Sequence, residues 1–427
     1  MKANELVSKL STEGAKKYFE KLYGNKPEAI SFQISRYQNL IQRFTNEFST
    51  FENLSLFTTP GRTEVGGNHT DHNAGRVLAA AVDLDILAVA SPSDDNQIIV
   101  LSEGYPEICI NILELEVRNE EKYSSAALVR GVCARLHEIG YKIGGFHASI
   151  DGRVPKGSGL SSSAAFEVMM VTILNHFYNN GVINNTLNAQ IAQYAENEYF
   201  GKPCGLMDQT TCAYGGLVFI DFKDFAKPVI EKINYDFSQK GYTILIIDTG
   251  GDHADLNDDY EALENEMKSV ARSLGGSVMR EFTDIQVIEN LKQLRTQVSD
   301  RAILRALHFY NDDQRVVKQV EALKTNSMAD FLKLIKESGE SSWMLCQNCY
   351  SSKHVEMQGI SLALAVTSQL LKEGAWRVHG GGFAGTIQVF IQSNQLDTYL
   401  LPIRKIFGDQ ACHEIFIRSI GTTQINL

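Results

Sequence analysis

The 427-residue chain is 44% hydrophobic and 21% charged, enough apolar material for a packed core and too much for a wholly disordered chain. Its 40 Lys plus Arg against 51 Asp plus Glu give a formal net charge of -11, which argues against non-specific binding to nucleic acid or to an anionic membrane, since both need a basic footprint. Seven cysteines scattered through a chain of this length do not make a disulfide framework.

The opening segment, MKANELVSKLSTEGAKKYFEKLY, alternates charged and apolar residues and lacks the apolar centre of a signal peptide. Ile34, Tyr37, Ile41, Phe44 and Phe48 recur at helical spacing, so residues 1–50 are predicted mostly helical. The stretch VLAAAVDLDILAVA is interrupted by Asp83 and Asp85 and is too short to span a bilayer. A cytoplasmic protein is therefore expected. AAAVDLDILAVA, NQIIVLSE and GGFHASIDGRVP read as strands, with a helix over Ser124 to Ile139 between the last two. A Gly/Ser loop then opens into a long apolar helix, a second helix covers Leu187 to Phe200, and a strand lies near Gly216 to Phe222. YTILIIDTG begins a second half with helices around Tyr260–Leu274, Asp313–Leu323 and Gly359–Lys372. Its strands are predicted at Gly385 to Gln392 and His413 to Ser419. Strands and helices mix without strict alternation, which favours an α+β fold. The expected division is a helical extension at 1–35, a first domain at 36–230 and a second at 231–427.

Three segments carry candidate chemistry. In PKGSGLSSSAAFEV, residues 155–168, Gly157 and Gly159 let the backbone approach a ligand closely. Ser161, Ser162 and Ser163 then present hydroxyls and amides at a helix start, which suits phosphate or simply caps the helix. It is not a Walker A loop, because Lys156 precedes both glycines. PGRTEVGGNHTDHNAG, residues 60–75, crowds a cation, carboxylates, imidazoles and an amide between glycines. It reads as a polar loop, a binder of sugar-type hydroxyls or a metal site. RVHGGGFAGTIQVF, residues 377–390, permits a tight turn against a phosphate or against another backbone.

Taken together and in order, these segments and CGLMDQ (residues 204–209) resemble the GHMP small-molecule kinases, and among them most closely the galactokinases. The resemblance runs from about Leu54 to the C-terminus. It implies an N-terminal mixed-sheet domain of the ribosomal S5 domain 2-like type and a C-terminal ferredoxin-like domain, with the site in the cleft between them. The implied activity is transfer of phosphate from ATP, with Mg²⁺, to the anomeric (C1) hydroxyl of galactose or a related sugar. Asp208 matches the family's catalytic aspartate, a base or orienting carboxylate, and Arg62 its arginine beside the transferred phosphoryl group. Gly157, Ser158, Gly159, Leu160, Ser161, Ser162, Ser163 and Ala164 match the ATP phosphate loop. Glu196, with Ser162 or Ser163, matches the Mg²⁺ ligands.

His69, Asp71, Gly205 and Tyr260 match residues of the sugar pocket. There the chain departs from the family pattern G-R-x-N-L-I-G-E-H-T-D-Y-N, reading G-R-T-E-V-G-G-N-H-T-D-H-N from Gly61 to Asn73. Asn68 takes the place of a sugar-gripping glutamate and His72 that of a tyrosine, so Asn68 is the expected reader of an altered sugar. In EKYSSAALVRGV, Tyr123 lies off the position of the family's adenine-contacting aromatic. The alternatives are a kinase of an amino sugar, pentose or uronic acid, a non-catalytic sugar sensor, and, remotely, a metallohydrolase built on N-H-T-D-H. Cys346 and Cys349 form a single C-x-x-C and read as structural. The expected partners are the sugar and ATP, with no nucleic acid and no membrane, on a monomer or weak homodimer.

Overall fold

The computed structural model describes residues 1–48, 53–155, 159–202, 204–251 and 256–427. Lys156, Gly157 and Ser158 therefore lie outside the described residues. Two sheets organise the chain, each strand alternating or fully apolar where it meets the core. In the first, Ser55–Gly66 pairs antiparallel with the long strand Arg76–Ser93, which pairs in turn with Gly145–Gly152. Gln97–Ser102 adds to Gly145–Gly152 in parallel and carries Ile108–Asn111 at the edge, so the sheet is mixed. Leu217–Asp221 and Val229–Ile233 extend the Arg76 end of the long strand. The second sheet is antiparallel throughout, in the order Cys412–Ile415, Tyr242–Asp248, Thr386–Gln392, Ala375–His379. The α+β expectation holds.

One face of the first sheet is covered by Ser125–Glu138, Ser162–Tyr178, Asn185–Tyr194 and Met207–Tyr214. Ser162–Tyr178 is apolar on nearly all sides and is buried accordingly. The other face is covered by Ala3–Leu10, Glu13–Tyr23 and Pro27–Glu47, which pack Phe19, Leu22, Tyr37, Leu40 and Phe44 on Leu56, Leu87 and Val89 of the sheet. Below them lies a buried ion cluster. Asp85 accepts from Arg36 Nη1 at 2.6 Å, Tyr23 OH at 2.7 Å, Thr58 Oγ1 at 2.7 Å and Arg418 Nη1 at 3.0 Å.

The expected boundaries do not coincide with breaks in the structure. Pro27–Glu47 runs unbroken through 35/36, and Val229–Ile233 straddles 230/231 as a strand of the first sheet. The helix expected at Asp313–Leu323 is 25 residues long, Asp300–Lys324, because its first turns bury Arg305, His308 and Asp312. Inward polar residues hide the apolar period there. The strand expected at His413–Ser419 ends at Ile415, where the chain leaves the second sheet for the first: Asp83 N–H donates to Phe416 O at 3.0 Å and Arg418 N–H to Ala81 O at 2.9 Å. No helix among the described residues is long and apolar enough to cross a membrane.

Candidate active site

Arg62 owes its position to a register shift in Ser55–Gly66 between Pro60 and Arg62. Gly61, at the shift, lies so close to the backbone of the Gly/Ser loop that a Cβ would sit 2.8 Å from Leu160 O. The bulge re-aims the next side chain, and Arg62 N–H donates to Leu160 O at 3.0 Å. The guanidinium then meets Asp208 in a fork, Nε to Oδ1 and Nη2 to Oδ2, both at 2.6 Å, while Nη1 donates to Gly159 O. Such bidentate pairs combine charge with fixed geometry.

Asp208 stands in the first turn of Met207–Tyr214. Burial alone would raise its pKa, but the Arg62 charge and hydrogen bonds, with a further bond from Ser161 Oγ, bring it below the ordinary carboxylate range. The side chain remains 29% exposed against 7% for Arg62, so the carboxylate faces the open side of the pair. Ser161 is the N-cap residue of Ser162–Tyr178, in the left-handed region at φ 58, and makes no side-chain cap. Its hydroxyl goes to Asp208 instead. The helix start is thus left uncapped by that side chain, the arrangement an anion uses. Leu160 and Ala164 are buried behind the loop.

Glu196 occupies a π-turn, Ala195–Phe200, in the segment expected to be plain α-helix. Its Oε1 accepts from Ser163 Oγ at 3.1 Å, and its Oε2 from Gln209 Nε2 at 2.8 Å and Cys204 Sγ at 3.3 Å. Gln209 Nε2 also reaches Glu167 Oε2 at 3.2 Å. Glu167 is fully buried, and its Oε1 has no hydrogen-bond partner among the described residues. Burial raises both carboxyl groups above their ordinary pKa, with repulsion from Glu196 adding to the rise at Glu167 and the Lys202 charge opposing the rise at Glu196. A hydroxyl beside a poorly solvated carboxylate, with an unpartnered carboxylate oxygen behind, fits a hard divalent cation whose remaining ligands are water and phosphate.

The opposite wall starts at Asp71, in the short turn Asp71–Asn73. A Cβ on Gly205 would collide with the Asp71 carboxylate, so only glycine lets the loop leading to Asp208 lie against it. His72 Nε2 lies 3.5 Å from Asp71 Oδ1 and its Nδ1 3.7 Å from Glu264 Oε2. His69 is half-buried at φ 58 and donates Nε2–H to Gly381 O at 2.9 Å. Burial and the neighbouring His72 push its pKa down to about 3, so the ring is neutral. Tyr260 donates to Gly382 O at 3.0 Å with its ring edge-on to Phe383. The glycine turn thereby closes on the histidine loop.

Asn68 departs from the expectation that it reads a sugar. It is 0% exposed, and both ends of its amide are engaged inside the protein. Nδ2 donates to Glu64 Oε1 at 3.0 Å and Gly380 O at 2.9 Å, and Oδ1 accepts from Asn348 Nδ2 at 2.8 Å and Ser342 Oγ at 3.2 Å. Its partner Glu64, a signal beyond the expected site residues, stands where the family pattern has asparagine, so the two positions have exchanged amide and carboxylate. Arg377 Nη2 holds the displaced carboxylate at 2.6 Å. Glu167, a lone acid on an apolar helix, was the other legible signal passed over. Tyr123 is 67% exposed, edge-on to Phe200. Cys346 and Cys349 are buried free thiols, and among the described residues no cluster of three His, Cys, Asp or Glu side chains is arranged to hold a metal ion.

A profile described as GHMP kinases N terminal domain matches residues 127–216. A second, the galactokinase galactose-binding signature, matches residues 42–92. Over these segments the chain is similar to the GHMP kinases, and its two-sheet fold is the GHMP kinase fold. The resemblance within that family is to galactokinases. The galactokinase of Clostridium beijerinckii is 29% identical over 391 residues, covering 87% of this chain and 95% of the relative. That of Streptomyces coelicolor is 27% identical, covering 83% and 88%. Among solved structures, Lactococcus lactis galactokinase complexed with galactose superposes with a TM-score of 0.80 at 21% identity, covering 91% of this chain and all of that one. Methanococcus jannaschii mevalonate kinase follows the same fold at a TM-score of 0.60 and 18% identity, covering 86% and 98%.

Proposed function

We propose that this protein is an ATP-dependent kinase of the anomeric hydroxyl of galactose or a closely related sugar. The observation that carries the proposal is the Arg62–Asp208–Ser161 cluster, a fixed carboxylate beside an uncapped helix start, with Asp71 reached through Gly205. Phosphoryl transfer needs its acceptor oxygen held in line and its phosphate charge balanced, with little covalent work for the protein. Asp208, ionised and aimed by Arg62, orients the acceptor hydroxyl and takes its proton late. Its lowered pKa favours orientation over strong basicity. Asp71 accepts hydrogen bonds from sugar hydroxyls, and the amides of the first turn of Ser162–Tyr178 hold phosphate oxygens. Ser163 and Glu196 are the residues that would hold Mg²⁺, which when bound offsets phosphate charge. We further propose that the chain works without nucleic acid or membrane partners.

The test is Asp208→Asn in the full-length protein, with turnover followed by ADP release and sugar binding by calorimetry. The expected result is a loss of about 10²–10⁴-fold in turnover with sugar binding kept. Turnover within a few-fold of wild type removes Asp208 from the reaction.

A further inference from the structure

Three carboxyl groups gather at this site against one arginine. Glu167, Glu196 and Asp208 place three carboxyl groups near the start of Ser162–Tyr178. Arg62 is already committed, with Nε and Nη2 on Asp208 and Nη1 on Gly159 O. A nucleoside triphosphate adds several negative charges to this set, and Mg²⁺ offsets only part of them.

Lys202 stands on the loop that joins Glu196 to Asp208. It is exposed and, among the described residues, makes no ion pair within 4.0 Å. Its backbone is nonetheless held in place. The amides of Gly201 and Lys202 both donate to Glu196 O, at 3.0 and 3.2 Å. Cys204 N–H donates to Asn197 Oδ1 at 2.8 Å and its thiol to Glu196 Oε2 at 3.3 Å. The loop is thereby tied to the same glutamate that Ser163 touches. The Lys202 charge is felt by Glu167, Glu196 and Asp208, lowering the pKa of each against the burial that raises it.

We infer that Lys202 is a phosphate-binding residue, its ammonium meeting the terminal phosphates of the nucleotide from the loop side while the helix start holds them from the other. The inference rests on the ATP reading above. A lysine suits the role as a compact charge on a long flexible stem, able to reach phosphate oxygens without fixed fork geometry. The terminal phosphates, rather than the α-phosphate or the sugar, are its target, because Glu196 and Asp208 flank it in the chain.

The experiment uses full-length wild type, Lys202→Met, Lys202→Gln and Lys202→Arg. Calorimetry with AMP, ADP and Mg²⁺-tripolyphosphate is combined with steady-state kinetics in ATP and sugar. Loss of one charged contact predicts that Met and Gln weaken ADP and tripolyphosphate binding, and raise KM for ATP, by about tenfold. AMP binding and the sugar KM stay at wild-type values, and Arg recovers most of the loss. Wild-type affinity for ADP and tripolyphosphate in both neutral variants overturns the inference. So does equal weakening of AMP and ADP, or an Arg variant as impaired as Met. Tripolyphosphate separates this from the wider reading. If wild type phosphorylates no sugar yet binds tripolyphosphate through Lys202, the kinase reading fails and the phosphate site stands. Sugar turnover with Lys202-independent tripolyphosphate binding gives the reverse.

Discussion

Asp208 and Asn68 carry two different lessons about acidic and amide side chains at one site. Asp208 has a depressed pKa because Arg62 and Ser161 outweigh its burial. A depressed carboxyl group contributes stability above its unfolded pKa and loses it as pH falls through the folded value. Its window therefore lies below the ordinary carboxylate value of about 3.9, and Asp208 stays ionised through the neutral range. An acid limb in turnover above pH 5 or so must come from another group. Asn68 faces Glu64 at 3.0 Å with no solvent beside it. Asn68→Glu alone sets two carboxyl groups against each other in a buried network and is expected to cost ~3–5 kcal/mol, as breaking a buried ion network does. Glu64→Asn together with Asn68→Glu restores one amide and one carboxylate, so the double variant should be more stable than Asn68→Glu. The coupling is expected to be of order 0.5–3 kcal/mol by urea denaturation of the four-member cycle. Strict additivity would show that the two positions do not form a unit.

At the scale of elements, the N-terminal helices pack on the first sheet and are tied to it by buried polar bonds. Pro27–Glu47 and Glu13–Tyr23 bring Arg36, Tyr37 and Tyr23 to the Asp85 cluster, and Arg418 arrives from the far end of the chain. Burial would raise the Asp85 pKa, but Arg36 and Arg418 hold it below the usual range. Arg36→Met leaves the buried carboxylate with one arginine and is predicted to destabilise the fold by ~3–5 kcal/mol. Denaturant midpoints of wild type and variant measure this, and a change under about 1 kcal/mol, ordinary for a surface site, would mean that the cluster does not hold the helices. The helix Ser162–Tyr178 was legible because the serines at its start and its unbroken apolar run announce themselves locally. The domain limits were not, because Pro27–Glu47 and Val229–Ile233 read identically whether they begin a domain or complete one. Nor was the orientation of Asn68 legible, since it depends on Asn348, Gly380 and Arg377, all far away in the chain.

Over the whole molecule, the two sheets meet through strands that change allegiance. Cys412–Ile415 belongs to the second sheet, whereas Thr423–Gln424 pairs with Ser55–Gly66 in the first. The site lies along this junction. Arg62 comes from the first sheet, and His379 and the glycine turn come from the second. Thr63 Oγ1 and His379 Nε2 are joined across it at 2.9 Å. On the proposed reading, Asp71 holds the sugar on one wall, the start of Ser162–Tyr178 holds phosphate on the other, and the hydroxyl nearest Asp208 is the acceptor. That hydroxyl is taken to be the anomeric one. The most direct test is phosphorus NMR of the product formed by wild-type protein from galactose, ATP and Mg²⁺. The account predicts a sugar phosphate whose phosphorus couples to the anomeric proton. A phosphorus coupled to any other sugar proton, or no sugar phosphate from galactose or a related sugar, would contradict it.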